Sequence, residues 1–417
     1  PLDKEAMERG TSVYLVDRVI PMLPHQLSNG ICSLNPNVNR LALSCVMKIN
    51  NKGEVVDYRI FESVICSKKQ MTYNNVNKIL EENTIPEGYE EFADNLKLMK
   101  ELSDILRSKM VRRGYLEFDS PEAKILVNEK CEPIDIVLRS QRTGEKLIEN
   151  FMIVANETVA GYVEDIDLPG IYRVHDKPNP EKLKTFIRFL SLKGYSFNMD
   201  VNKIKNYSYQ KMLEMFKDKE EGSILSSLAI QTMAKAKYSN VNIGHFGLGS
   251  KRYSHFTSPI RRYPDLTLHR LVKDYLRKYS TKTISKWEKL LPVIADHSSI
   301  KEQDSINCER DVEKMKKAQY MEGHIGEVFK GVVSGVCEFG IFVQLENTVE
   351  GLVKVEDIKG DYYVYDKELG IMVGKNSKNR YMFGDVVTVE VINASRETSM
   401  VDFKIVKDVD YGEKKKK

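Results

Sequence analysis

Cysteine is sparse in this chain: six residues in 417, at positions 32, 45, 66, 131, 308 and 337. None has the paired spacing of a metal site, and six are too few for a disulfide framework, so reduced thiols are expected. Long apolar runs are missing as well. None approaches the roughly 20 residues needed to span a bilayer. The first residues show neither a charged leader nor a signal-like apolar stretch, so no membrane association and a cytoplasmic location are expected. Charge of one sign is not in large excess, with 64 Lys and Arg against 60 Asp and Glu and a net charge of +4. Attraction for a polyanion must therefore come from local clustering of basic residues rather than from the total. The last shortage is of closely spaced carboxylates. Asp17 stands alone, Asp265 is single, and Glu164, Asp165 and Asp167 lie just ahead of Pro169 and Gly170, where an exposed turn is expected. A two-metal hydrolytic centre needs several carboxylates converging on one point, and no such cluster is read here.

What is present is enough for a large core, with 41% hydrophobic residues and a length that suits about two or three domains. Residues 41–65 read as a hairpin: Leu41, Leu43, Cys45 and Met47 alternate, Asn50, Asn51, Lys52 and Gly53 make the turn, and a β-rich run follows from Val55. Residues 92–113 read as a helix ended by Gly114, with Phe92, Leu96, Met99, Leu102, Leu106 and Met110 on one face. A second helix is expected from Glu145 to about Val159, where Glu149 and Asn156 are the polar residues that could face a site. The middle of the chain is thus mixed α and β. Near residues 320–323 a charged helical segment gives way to short strands and glycines, the pattern of a five-stranded barrel.

The stretch YSHFTSPIRRYPDLTLHR at residues 253–270 sets Arg261 and Arg262 in a loop stiffened by Pro259 and Pro264. An arginine fork pairs two-point with phosphate oxygens. Tyr253, Ser254, His255, Thr257 and Ser258 add hydroxyl and imidazole groups suited to a polyanion, while Leu266, Leu268, Leu271 and Val272 can anchor a helix.

This stretch resembles the signature of the RNase II/RNase R exoribonucleases. The resemblance extends through GTSVYLVDRVIPMLPHQLSNGICSLNPNVNRL at 10–41, VRRGYLEFDSPEA at 111–123, IENFMIVAN, YRVHDKP and GHFGLGS, and covers nearly everything from Pro1 to about Ala318. The run IGEVFKGVVSGVCEFGIFVQLENTVEGLVKVEDI and the later GDVVTVEVINASRETSMVDFKI resemble an S1 domain, an RNA-binding OB-fold. The implied fold is α+β: a mixed α/β exoribonuclease catalytic domain over 1–318, incomplete at its N-terminus, then an S1-type barrel over 322–406 and a basic tail over 407–417.

The resemblance also implies roles. Arg261 matches the arginine on the scissile phosphate, and Tyr14 the tyrosine packed against the 3′-terminal nucleotide. Phe118 matches the aromatic that stacks on the terminal bases from the other side. Arg262 and His269 are secondary candidates for RNA contact. Glu309 matches an acidic residue lining the RNA channel, with Glu302 as a competing position. On the barrel, Phe339 and Phe342 would lie on the base-stacking face, although a place in the barrel core is the alternative reading for both. Lys354 stands where many S1 domains carry histidine, keeping a cation but losing a ring. The implied activity is processive 3′-to-5′ degradation of single-stranded RNA to nucleoside 5′-monophosphates with Mg²⁺, by a monomer. In the family the metal-binding aspartates precede the segment matching GTSVY by a few tens of residues. Only thirteen residues precede Tyr14, so those aspartates are expected upstream of Pro1. The chain by itself is then expected to hold RNA without cutting it. Lys414 to Lys417 are expected to add non-specific phosphate attraction.

Overall fold

The computed structural model describes residues 1–117, 122–197, 200–216, 222–277, 279–367 and 369–407. Phe118 and the basic run Lys414 to Lys417 lie outside the described residues. Alternation over residues 41–65 builds an antiparallel hairpin of Asn39–Ile49 and Val55–Cys66, with Cys45 opposite Ile60. One face, with Leu43, Cys45, Tyr58 and Ile60, packs onto the main core of the first module. The helical spacing over 92–113 builds the helix Ala93–Arg112, which buries Leu96, Leu106 and Met110. Gly114, at φ +94°, turns the chain at its end, as a residue without Cβ can.

The next helix runs Thr143–Asp165, longer than the expected span. It continues through Gly161, which is packed against the Arg252 guanidinium: a Cβ at that position would lie 3.3 Å from it. Val163 then continues the buried face. Glu164 and Asp165 therefore close a helix instead of forming an exposed turn, and both pair with Arg252. Asp167, at φ +52°, follows in the turn itself.

The sequence after the arginine loop folds as the helix Tyr263–Leu276, with Pro264 in its first turn, where its missing N–H costs nothing. A capping box at Ser280 and Thr283 starts the long helix Thr281–Glu322. Its 42 residues reach about 63 Å. Near its start Trp287, Leu291, Ile294 and Ala295 are buried in the first module's core. Near its end Ala318 and Met321 are buried in the core of the barrel.

That barrel is closed, in the strand order Gly340–Leu345, Glu350–Lys354, Met400–Lys407, Val386–Ser395, Val328–Cys337. Every pairing is antiparallel except that of Glu350–Lys354 with Met400–Lys407, which is parallel. This is the five-stranded OB-fold expected. Ile341, Val343 and Leu345 alternate into the core with Val389, Val391 and Phe403. Full burial of such side chains contributes about 1.5–3 kcal/mol each. A three-stranded sheet of Tyr363–Asp366, Ile371–Gly374 and Arg380–Tyr381 is inserted before the last two barrel strands.

The two modules touch away from the long helix too. Ile125 and Ile136, from the hairpin Glu122–Val127 and Pro133–Arg139, join the barrel core. Lys193 pairs with Asp385 at 3.2 Å, and Phe189 meets Phe383 edge-on. Among the described residues no helix is long and apolar enough to cross a membrane.

Candidate active site

The arginine loop is fixed from two sides. Arg261 and Arg262 both donate their N–H to the Ser258 carbonyl, closing a turn. Asp265, fully buried in the first turn of the following helix, gathers three more bonds. Its Oδ1 accepts from the Ser258 N–H and from Arg262 Nη2, and its Oδ2 accepts from Arg262 Nε, all at 2.8 Å. On the other side, the Arg261 carbonyl accepts from the Ser12 N–H at 2.9 Å and from Thr11 Oγ1 at 3.1 Å. The Tyr263 N–H donates to the Gly10 carbonyl at 2.9 Å.

The outcome for the two arginines is opposite. Arg262 turns inward and spends its fork on Asp265, while the Arg261 side chain is exposed and has no side-chain partner among the described residues.

The Gly10–Ser12 segment that braces the loop leads directly to Tyr14. Val13–Tyr14 pairs with Val19–Ile20, and the Tyr14 side chain is about half exposed. The Tyr14 N–H donates to Glu309 Oε1 on the long helix at 2.8 Å, and Ser305 Oγ, one turn earlier, donates to the same oxygen at 3.1 Å. Glu302 is engaged elsewhere: both its oxygens are gripped by Arg173, at 2.5 and 3.0 Å. Of the two competing acids, Glu309 is the one the structure brings to Tyr14.

Most other polar groups of the loop point inward. Ser254 Oγ donates to the Ile171 carbonyl at 2.6 Å. Tyr253 is buried, its hydroxyl accepting from Asn156 Nδ2 at 3.0 Å, and Asn156 Oδ1 accepts the Phe256 N–H at 2.9 Å. Asn156, expected as a residue facing a site, is instead a buried tether for the loop. Glu149 accepts from the Tyr115 hydroxyl.

Beneath the loop runs a chain of rings, Tyr238, His255, Tyr253, His245 and His175, with centroids 5.6, 5.6, 5.4 and 4.9 Å apart in turn. The Arg173 guanidinium lies 4.7 Å from the Tyr238 ring centroid, and the Tyr238 hydroxyl is 2.9 Å from His255 Nδ1. Burial keeps these imidazoles neutral. It pulls His255 well below the usual histidine range, with Arg262 and Arg173 adding to the effect, and it lowers His245 to about 3. His269 is lowered by burial as well; its Nε2 lies 2.7 Å from the Phe256 carbonyl and its ring stacks on Phe256 at 4.4 Å. It supports the loop from behind.

On the barrel, Phe339 and Phe342 face outward, in edge-to-face contact at 6.0 Å. A bulge between Phe342 and Val343 aims the ring, and Gly335 opposite it leaves room: a Cβ there would lie 3.3 Å from Phe342 Cδ2. Gly340 lets the two strands close up, since a Cβ would fall 2.1 Å from the Val353 carbonyl oxygen. Lys354 pairs in register with Gly340 and Leu352 with Phe342, so Lys354 shares the outer face with the Phe342 ring. Its ammonium lies 3.9 Å from Asp402.

Among the described residues no group of three or more His, Cys, Asp or Glu side chains could hold a metal ion. Asp17 is bound by Arg18, Asp265 by Arg262, and Asp3 by Arg270 and the Tyr263 hydroxyl. The residues present do not fit a metal centre. Sequence reasoning weighed Asp265 only as a lone carboxylate and passed over Thr11 and Arg173. Asp265 carried a signal, an acid three residues after Arg262 in a first helical turn, where such pairs meet. Thr11 and Arg173 carried none, because their partners lie 250 and 129 residues away.

The structure is thus a mixed α/β module with a fixed arginine loop joined to an OB-fold with outward aromatics. Residues 1–278 match the RNB domain and residues 323–405 the S1 RNA binding domain. The chain belongs to the RNase II/RNase R family of exoribonucleases. It is 46% identical over 409 residues to Ribonuclease R 1 of Lactococcus lactis subsp. lactis, covering 97% of this chain and 50% of that protein. It is 44% identical over 412 residues to Ribonuclease R of Thermotoga maritima, covering 98% of this chain and 58% of that one. The chain thus spans about half to three-fifths of the length of these curated relatives. Mycoplasma genitalium RNase R, solved in complex with ribose-methylated single-stranded RNA, superposes with a TM-score of 0.93 at 31% identity, over 97% of this chain and 64% of that one.

Proposed function

We propose that the protein to which this chain belongs is a processive 3′-to-5′ exoribonuclease that degrades single-stranded RNA to nucleoside 5′-monophosphates. The observation that carries the reading is the exposed Arg261 side chain, unpaired among the described residues, on a loop braced by Asp265 and by Thr11 and Ser12, the segment that leads to a Tyr14 whose backbone is held by Glu309. A phosphate approaching Arg261 meets a cation whose backbone is already immobile, so little ordering cost falls on the transition state. Charge gathering on the non-bridging oxygens would be taken up by the guanidinium. The Tyr14 ring would pack against the 3′-terminal nucleotide and set the register of the phosphate, with Phe118 as its partner across the strand. Glu309 acts through Tyr14 as a positioning residue. Arg262 and His269 serve the loop from within. Phe339, Phe342 and Lys354 would receive the strand on the barrel, where aromatic faces stack on any base and so tolerate any sequence.

Mg²⁺ belongs to the reading for the whole protein, supplying charge neutralisation and an activated water when bound. Among the described residues no carboxylates converge to hold it. The same observation favours a second reading for residues 1–417 taken alone, a module that holds RNA and does not cut it. The chain is read as a nuclease portion over 1–318 and an RNA-guiding barrel over 322–406. The test uses purified residues 1–417 with labelled single-stranded RNA and Mg²⁺. Binding without decay supports the module reading, and rapid Mg²⁺-dependent decay overturns it. Absence of binding counts against both readings.

A further inference from the structure

The inserted sheet of the barrel carries a feature that the roles above do not use. Its inner residues Tyr363, Met372 and Tyr381 are buried in the barrel core, but Tyr362, at the entrance of the first strand, is 65% exposed. The Lys375 ammonium sits 4.5 Å from the centroid of its ring, and the Lys375 N–H donates to the Tyr362 carbonyl at 2.9 Å. One residue fixes this arrangement. Asp361 Oδ2 accepts from the Asn376 N–H at 2.8 Å, the Ser377 N–H at 2.5 Å and Ser377 Oγ at 2.7 Å, while Oδ1 accepts from Asn376 Nδ2 at 2.8 Å and the Tyr362 N–H at 2.7 Å. The latch needs Gly374, where a Cβ would fall 2.6 Å from both Asp361 Oδ2 and Ser377 Oγ.

The backbone that carries the ring is therefore fixed, with a cation on one ring face and 65% of the residue exposed, which lowers the ordering cost of stacking. Asp361 spends its oxygens on these donors. Besides Lys375, exposed lysines stand nearby in the sequence at Lys359 and in the connection after Gly374 at Lys378, with Glu356 and Asp357 in the preceding turn. Lys359, Lys375 and Lys378 make no ion pair among the described residues. Seven residues lie between Lys354 and Tyr362, and the connection is tied to the barrel where it starts, Val355 donating its N–H to the Phe339 carbonyl at 2.9 Å.

We propose that Tyr362, backed by Lys375, is a second base-stacking platform for single-stranded RNA, continuing the barrel surface formed by Phe339, Phe342 and Lys354. The inference rests on the RNA reading above and adds a site to it. An OB-fold covers about 4–16 nucleotides, room enough for both platforms.

The test is fluorescence anisotropy of the full chain with a labelled 20-nucleotide single-stranded RNA. Tyr362→Ala should weaken binding roughly five- to tenfold, the loss of one stacked base, and Tyr362→Phe should restore it. Lys375→Gln should lower the salt slope by about 0.7. If the alanine variant fails to fold, Tyr362→Leu supplies bulk without a ring and should bind as weakly. Tyr362→Trp adds a stacking signature, because Trp287, the other indole, is buried: its emission should be quenched on saturation with RNA. Wild-type affinity in the Tyr362→Ala or Tyr362→Leu protein, with Phe342→Ala weakened, would overturn the platform and leave the RNA reading standing. No binding by the wild-type chain would overturn both.

Discussion

Arg262 and Asp265 face each other in the protein interior, with two bonds of 2.8 Å between guanidinium and carboxylate and a third from the Ser258 N–H onto Asp265. The pair neutralises one arginine of the loop and leaves its neighbour Arg261 to carry the outward charge. Removing one member of a buried pair strands the other without a counter-charge. Asp265→Asn is therefore expected to destabilise the chain by about 3–5 kcal/mol in urea unfolding. The double change Asp265→Asn with Arg262→Met should recover part of that loss. Equal stability of the single variant and the wild type would show that the pair does not brace the loop.

Arg261 and Tyr14 should separate in a salt titration of RNA binding. Arg261→Ala removes a phosphate contact, so log affinity should fall less steeply with log salt, by about 0.7. Tyr14→Ala removes stacking, so affinity should fall at every salt concentration with the slope unchanged. Identical behaviour of the two variants would undo the division of roles.

Glu309 and Glu302 make a matched comparison. Glu309→Ala frees the Tyr14 backbone and should weaken RNA binding by roughly two- to fivefold, the worth of one hydrogen bond, with little change in stability. Glu302→Ala leaves the Arg173 guanidinium beside Tyr238 unpaired, so its main effect should appear in thermal unfolding. RNA affinity and melting temperature measured on both variants decide the assignment.

The buried imidazoles set a pH dependence. His245 is lowered to about 3 and His175 and His255 are lowered too, chiefly by burial, from a usual value near 6.5. Between those limits the unfolded chain binds more protons than the folded one, so stability is complete above about pH 6.5 and is lost progressively as pH falls toward 3. The melting temperature should drop between pH 7 and pH 4.5, and His245→Gln should flatten the decline. A drop of equal size in that variant would place the acid sensitivity elsewhere.

Much of the fold was legible because period and punctuation agreed: alternation with an Asn-Asn-Lys-Gly turn for the first hairpin, three- and four-residue spacing ended by Gly114 for the first long helix, and short strands with glycines for the barrel. The helix from Thr143 outran its expected end, running through Gly161, a weak helix former whose packing against Arg252 no local pattern announces. The site was legible in part. Sequence marks two adjacent arginines as a phosphate-binding loop, yet which one faces out depends on Asp265, and which groups turn inward depends on Asn156 and Ile171 from distant elements. Imidazole and hydroxyl groups look alike in a sequence whether they meet a ligand or a buried carbonyl.

The most direct measurement follows 5′-labelled single-stranded RNA incubated with Mg²⁺ and the protein as its gene produces it. The expected result is a ladder shortening from the 3′ end with release of nucleoside 5′-monophosphates, slowed when Arg261 is replaced by Ala. Shortening from the 5′ end, or RNA left intact by a protein that binds it, would contradict the exoribonuclease reading.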